Sequence, residues 1–158
     1  MFQLPFPVRD ANVGGGAGEF GDLPEWDLSD LYTAEDAPEL IRDLAWLEEE
    51  CANFAKDYEG KLAELDAAGF LACVLRNEKI NGIAGRIMSY AGLRYYQLTI
   101  DAGRAKFLSD MQEKITNFTT PLVFFTLELN RLDDGVLDGL FAESAQLSLL
   151  DAFPLFHS

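Results

Sequence analysis

Few side chains in this 158-residue chain have the type and spacing that catalysis requires. A zinc site needs several His, Cys or carboxylate ligands at fixed spacing, yet the chain has one histidine, His157, beside its last residue. The two cysteines, Cys51 and Cys73, lack zinc-ligand spacing and fall at apolar positions of predicted helices, as small buried hydrophobic side chains do. A Cys–His nucleophile would depend on His157, and a chain terminus gives that residue no fixed geometry. The sequence therefore predicts no catalytic, cofactor-binding or metal-binding residue.

Among the carboxylates, Glu128 is the one to consider for acid–base chemistry, because its neighbours are strongly apolar. The residues around it are Phe124, Phe125, Leu127 and Leu129. The favoured interpretation is structural: a helix-surface glutamate that pairs with Arg131, three residues further along the same helix.

Two short motifs match known sites but stand in the wrong context. Residues 16–21 read Gly-Ala-Gly-Glu-Phe-Gly and match the dinucleotide fingerprint G-x-G-x-x-G, which needs a strand before it and a helix N-terminus after it. No strand is predicted there and Pro24 follows, so we interpret the motif as linker. Residues 117–119, Asn-Phe-Thr, match a glycosylation sequon but lie within a predicted helix.

The charge of the chain argues against several classes of partner. The formal net charge is −15, and residues 1–75 carry 17 acidic and 4 basic side chains. A chain this acidic repels phosphate backbones and anionic lipid, so we predict neither nucleic acid nor a membrane as partner. The first residues lack the regions of a signal peptide, and no apolar run approaches the ~20 residues that span a bilayer. A cytoplasmic location is the expectation.

The periodicity of apolar residues predicts an all-α domain, a bundle or hairpin array of four to five helices. Residues 1–22 are rich in Gly and Pro and are predicted as a flexible lead, 23–150 as the helical domain and 151–158 as an irregular tail. The first helix is predicted to have Asp36 as N-cap and to end at Gly60. Its apolar stripe alternates spacings of four and three: Leu40, Leu44, Leu47, Cys51, Phe54 and Tyr58.

Two further helices are predicted in the middle of the chain, one from about residue 66 to 75 and one over residues 80–98. The second of these contains Gly82, Gly85 and Gly92, and its stripe consists of Ile80, Ile83, Ile87, Tyr90, Arg94 and Leu98. Because an interior glycine costs ~1 kcal/mol relative to alanine, three of them predict a close approach to another helix.

The fourth predicted helix, over residues 101–132, would be ~48 Å long at 1.5 Å per residue and is predicted to be the structural spine. Pro121 lies inside it and removes the hydrogen bond to the Asn117 carbonyl, so a kink is predicted there. Residues 133–135, Asp-Asp-Gly, predict a turn, and a short fifth helix follows over about 136–150. The stripe of the fourth helix has eight positions: Leu108, Met111, Ile115, Phe118, Leu122, Phe125, Leu129 and Leu132.

The segment just before the first helix resembles a known family. Residues 23–32, Leu-Pro-Glu-Trp-Asp-Leu-Ser-Asp-Leu-Tyr, are similar to the entry segment of the oligoendopeptidase F family, within the thimet-oligopeptidase-like zinc peptidases. Three later stretches are similar to that family in the same order: residues 85–91 (Gly-Arg-Ile-Met-Ser-Tyr-Ala), Phe107 with 110–114 (Asp-Met-Gln-Glu-Lys), and 124–130 (Phe-Phe-Thr-Leu-Glu-Leu-Asn). The resemblance covers residues 23–134.

The resemblance implies a non-catalytic wall of an oligopeptide-cleaving zinc metalloendopeptidase. In that family the N-terminal helices form one side of a deep channel, and an H-E-x-x-H motif in a later, larger domain binds zinc. This chain lacks the motif, so it is expected to be truncated before the catalytic domain, to hydrolyse no peptide alone and to bind no zinc tightly. The implied partners are the catalytic domain and, in the full-length enzyme, an oligopeptide substrate.

Two further expectations concern association. Apolar positions that pack against a later domain are exposed when that domain is missing, so we expect self-association or binding to a separate catalytic fragment. The alternative function is a stand-alone acidic helical-bundle module that binds a protein partner through an exposed apolar stripe.

Overall fold

The computed structural model describes residues 27–143, and over this range the chain is all-α, as predicted, with no strand. The predicted lead (1–22) and tail (151–158) lie outside the described residues. The α-helices are α1 (Pro38–Tyr58), α2 (Ala67–Gln97), α3 (Ala102–Thr119), α4 (Val123–Leu129) and α5 (Asp134–Glu143), with 3₁₀ turns at Leu62–Glu64 and Thr120–Leu122.

Helix α1 follows its predicted apolar stripe, with Leu40, Leu47, Cys51 and Phe54 buried. Its predicted N-cap is wrong: Ala37 holds the N-cap position and no side chain caps the helix, so the carboxylate of Asp36 is not used there. The predicted stop is confirmed, because Gly60 has a φ of +77°, a conformation that costs glycine nothing.

Helix α2 is one helix of 31 residues, so the prediction of two helices separated near residue 78 is wrong. The polar run at residues 76–79 does not break the helix, because its two basic side chains lie against α1. Arg76 pairs with Glu50 of α1, and the Lys79 ammonium lies 4.8 Å from the centre of the Trp46 ring. These contacts let the helix continue through a polar turn.

The glycines of α2 do not mark a close helix contact. A Cβ added at Gly82, Gly85 or Gly92 would meet no atom within 4 Å outside the helix's own neighbouring backbone, so that prediction is also wrong. The start of α2 is confirmed: the Asp66 carboxylate accepts the Gly69 N–H at 2.8 Å and caps the first turn.

The long predicted fourth helix exists as α3 and α4, joined through the 3₁₀ turn into 28 residues. Pro121 lies in this turn. The hydroxyl of Thr119 donates to the Ile115 carbonyl at 2.8 Å and that of Thr120 to the Thr116 carbonyl at 2.7 Å. Side-chain donors thus supplement the backbone hydrogen bonding beside the proline, which has no N–H.

The core lies around the α1–α2 hairpin and not along α3–α4. Of the 18 residues of α3 only Met111 is buried, although Leu122 and Phe125, further along the predicted fourth helix, are buried as well. The predicted stripe thus faces the core, while its role as the structural spine stays a prediction. The largest side chains that are less than 2 % exposed all precede α3: Tyr32, Leu40, Leu47, Cys51, Phe54, Leu62, Phe70, Val74, Ile80, Ile87 and Tyr90.

Within residues 27–143 no helix is long and apolar enough to cross a membrane.

Candidate functional site

The segment that leads into α1, residues 27–37, is here called the entry segment. It is fixed by a tight turn, in which the N–H groups of Leu31 and Tyr32 both donate to the Leu28 carbonyl, at 2.9 and 3.1 Å. The turn directs Tyr32 inward, where its side chain is 1 % exposed. The entry segment therefore packs on the helices as part of the domain.

Tyr32 is held by groups from both helices of the hairpin. Its hydroxyl donates to Asp43 at 2.8 Å, and Arg42 donates to the other carboxylate oxygen at 3.1 Å. The Arg86 guanidinium lies 4.6 Å from the Tyr32 ring centre and donates to the Leu31 carbonyl at 2.5 Å. Burial, and then the hydrogen bond to Asp43, raise the pKa of Tyr32 above its usual value. Tyr32 thus stays protonated and serves as a structural anchor.

Two clefts open beside this anchored segment. The larger, about 580 Å³, lies against Ala34, Glu35, Asp36 and Phe107. The smaller, about 310 Å³, lies against residues 27–29, Tyr32 and Gln97. Thr33, Tyr90 and Arg94 line both clefts. These two clefts form the candidate site.

Some charged side chains of the larger cleft are paired with one another, and one is not. Arg94 pairs with Glu35 at 3.2 Å, and both side chains are about one-third exposed. Arg104 donates to the Arg94 carbonyl at 3.1 Å, which fixes the end of α2 to the start of α3. Asp36 is exposed and makes no hydrogen bond or ion pair through its side chain with the described residues. One carboxylate is therefore left available to a ligand.

The clefts are lined by charged, hydroxyl-bearing and aromatic side chains. Among residues 27–143, the side chains that line them include no cysteine or histidine. Below them Tyr90 is 1 % exposed, and burial raises its pKa. The arrangement can supply charged side chains and a shaped cavity to a bound ligand.

The two cysteines behave as predicted. Cys51 and Cys73 are both free and buried, and burial raises their pKa values to about 11 and about 12. Because the thiolate is the reactive form, such thiols are inert near neutral pH. His157, which a Cys–His nucleophile would require, lies outside the described residues.

Glu128 serves neither of the roles considered for it. Its carboxylate accepts the N–H of Gly60 at 2.5 Å and that of Leu62 at 3.3 Å, instead of pairing with Arg131. The left-handed φ of Gly60 brings the two N–H groups to the same side, a concave arrangement that suits an anion. Glu128 thus ties α4 to the α1–α2 connection.

Three other features of the sequence are the implied metal and the two short motifs. Within residues 27–143 no group of three or more His, Cys, Asp or Glu side chains could hold a metal ion, so the described residues do not fit the zinc implied for the full-length family enzyme. The G-x-G-x-x-G motif lies outside the described residues. Asn117 of the sequon lies within α3, a helix as predicted.

The sequence interpretation missed the cleft. The sequence pattern predicts Asp36 as the N-cap of α1 and includes Arg94 in the stripe of residues 80–98. A charged residue at a stripe position otherwise held by Ile and Tyr is a signal for an ion pair, and Arg94 indeed pairs with Glu35.

A comparison with protein-family models finds no match, and comparisons with curated proteins and with solved structures find no similar protein. The function therefore has to be inferred from the residues of the chain itself.

Proposed function

We propose that this chain is a non-catalytic helical domain of a cytoplasmic, oligopeptide-cleaving zinc metalloendopeptidase of the oligoendopeptidase F type. It would form one wall of the channel that encloses the peptide, while a separate catalytic domain supplies the zinc. One observation supports this most: the separate stretches that resemble the family contact one another.

Three of the four resembling stretches meet at Tyr90. The Tyr90 ring packs edge-on against Tyr32 of the entry segment, with centres 5.5 Å apart, and against Phe107 of α3, with centres 6.1 Å apart. Arg86, from the same stretch as Tyr90, holds the Leu31 carbonyl. Residues that contact across the fold constrain one another, as expected for a shared architecture and not for a chance match of surface residues.

The fourth stretch makes an equivalent connection at the other end of the hairpin. The rings of Phe124 and Phe125 lie 6.0 and 5.7 Å from the ring of Phe54 in α1. Glu128 of the same stretch accepts the Gly60 N–H. The resembling residues thus connect all the long helices.

A half-covered surface is available for the catalytic domain. Val123 and Leu127 are 57 % and 52 % exposed and lie one turn apart on α4, so they share a face. Interfaces between domains bury roughly 600–1,500 Å² and include such apolar residues. We define the docking face as the outward side of α3–α4 that contains Val123 and Leu127.

The test is to mix the chain with a separately expressed catalytic fragment of an oligoendopeptidase F enzyme. We expect a complex in sedimentation velocity, and Leu127→Asp to weaken it at least about tenfold, since one desolvated charge costs more than 1.4 kcal/mol. Ile41→Asp is the matched control, because Ile41 is 57 % exposed but lies on α1. Absence of a complex up to ~0.1 mM, where even weak interfaces associate, would contradict the proposal.

A second candidate is the stand-alone interaction module, and one surface favours it. Tyr96, Leu98 and Ile100, at the tip between α2 and α3, are 69 %, 42 % and 89 % exposed. Residues 95–100 carry no charge in a chain whose net charge is −15. If Ile100→Asp abolishes self-association and Leu127→Asp does not, this candidate replaces the first.

A further inference from the structure

We propose that the larger cleft binds a cationic side chain of a peptide, the ammonium of a lysine or the guanidinium of an arginine. This inference rests on the proposed function for the identity of the ligand as a peptide, and it deepens that function by naming the class of side chain that the wall would select.

The available carboxylate of Asp36 is the first element of the site. It does not cap α1, because Ala37 has the N-cap position, and its side chain has no hydrogen-bond or ion-pair partner among the described residues. A carboxylate held at the rim of a cleft and free of intramolecular partners can accept a charge-assisted hydrogen bond from a ligand.

Neither Arg94, which lines the cleft, nor Arg104, which contacts Arg94, cancels this charge. Arg94 already contacts Glu35 at 3.2 Å. The guanidinium of Arg104 donates to the backbone carbonyl of Arg94 and, at 3.4 Å, to Gln97. An anionic ligand would therefore have to displace Glu35 from Arg94, whereas a cation meets Asp36 directly.

The smaller cleft adds to the negative potential on the other side of Thr33. Asp27 lines it, and the side-chain and backbone hydrogen bonds from Ser29 lower the pKa of Asp27, so this carboxylate stays charged at neutral pH. Both clefts thus present carboxylates to a ligand that lies across Thr33.

The remaining wall suits the stem of a long basic side chain. Phe107 is partly buried and packs against the Tyr90 ring, and both line the larger cleft. Lysine and arginine side chains lay their methylene groups along apolar surface while the charged end stays at a polar rim. The cleft volume of about 580 Å³ falls within the range of small-ligand sites.

The experiment titrates three capped tripeptides into the full chain: N-acetylated, C-amidated Ala-Lys-Ala, Ala-Gln-Ala and Ala-Glu-Ala. Two-dimensional amide NMR reports both affinity and place. We expect the lysine peptide alone to shift the signals of Thr33, Glu35, Asp36 and Arg94, and Asp36→Asn to weaken binding about three- to tenfold. Because the Asp36 side chain has no hydrogen-bond or ion-pair partner among residues 27–143, the signals of the described residues away from the cleft should not change in this variant.

Glu49→Gln is the matched control, since Glu49 is exposed on α1 and its loss changes the net charge by the same amount. Equal weakening by Asp36→Asn and Glu49→Gln would mean general attraction to an acidic chain and would overturn the site. Tighter binding of the glutamate peptide, or no binding of the lysine peptide, would overturn it as well. The titration uses no catalytic fragment, so these outcomes are independent of complex formation by the docking face.

Discussion

The α1–α2 hairpin buries most of its inward-facing apolar side chains completely, whereas the α3–α4 helix leaves many of its own only half covered. Leu40, Leu47, Phe54, Ile80 and Ile87 of the hairpin are at most 1 % exposed. The corresponding stripe residues of α3–α4 are mostly partly buried and include Leu108, Ile115, Phe118 and Leu129. Two equally regular apolar stripes thus differ in how completely their side chains are buried.

The difference shows what helical periodicity measures. A three-and-four spacing fixes which side of a helix faces a partner, but burial depends on how many partners cover that side. Helix α2 contacts α1, α3 and α5. The outward side of α4, with Val123 and Leu127 exposed, has no such cover among the described residues. Fold stability should therefore come from the hairpin, and association from α3–α4.

The largest expected effect is the loss of an aromatic ring from the hairpin. Phe54→Ala should lower the free energy of unfolding by about 3–5 kcal/mol, because the ring is 0 % exposed and packs against three other aromatic rings. Phe118→Ala, on the half-covered stripe of α3, should cost about 1–2 kcal/mol, since less apolar area returns to water. Urea melts measure both. Equal losses would mean that the two regions are not different.

An intermediate effect is expected at the anchor between the entry segment and the hairpin. Tyr32→Phe removes the hydroxyl that donates to the buried Asp43 carboxylate and should cost about 2 kcal/mol. Tyr96→Phe is the control, because Tyr96 is 69 % exposed and its hydroxyl can bond to water. Thermal melts of the two variants should differ by several degrees. If they coincide, the anchor contributes nothing.

The smallest effect concerns the glycines. Gly85→Ala should stabilise the chain by about 0.5–1 kcal/mol, because alanine favours the helix and its Cβ would meet no atom within 4 Å. Gly60→Ala should instead destabilise by about 1–2 kcal/mol, since its φ of +77° strains any side chain. A loss of stability in Gly85→Ala would restore the predicted close helix contact.

Local pattern was enough to predict the all-α class, the course of α1, the start of α2 near Asp66 and the interruption at Pro121. It was not enough where the decisive partner is distant in sequence. The polar run at residues 76–79 continues a helix because Arg76 meets Glu50 of α1. Glu128 binds N–H groups 66 and 68 residues away, so its neighbours in sequence could not identify its role.

The candidate site was hidden for the same reason. Asp36 was predicted to cap α1, and only the position of Ala37 at the N-cap shows that the Asp36 carboxylate is available. Arg94 stood in an apolar stripe, and its partner Glu35 lies 59 residues earlier. An ion pair between elements distant in sequence produces no periodic pattern. A charged residue at a position of an apolar stripe is therefore the sequence feature that indicates such a pair.

Amide hydrogen exchange of the chain, alone and with the catalytic fragment, tests most directly whether the hairpin is the stable core and α3–α4 the docking face. We expect the amides of α1 and α2 to exchange slowest in the free chain, because they open only with the whole core. The fragment should then slow exchange in residues 102–129 and leave α1 unchanged. Uniform exchange across all helices of the free chain, together with no added protection in residues 102–129, would contradict this assignment.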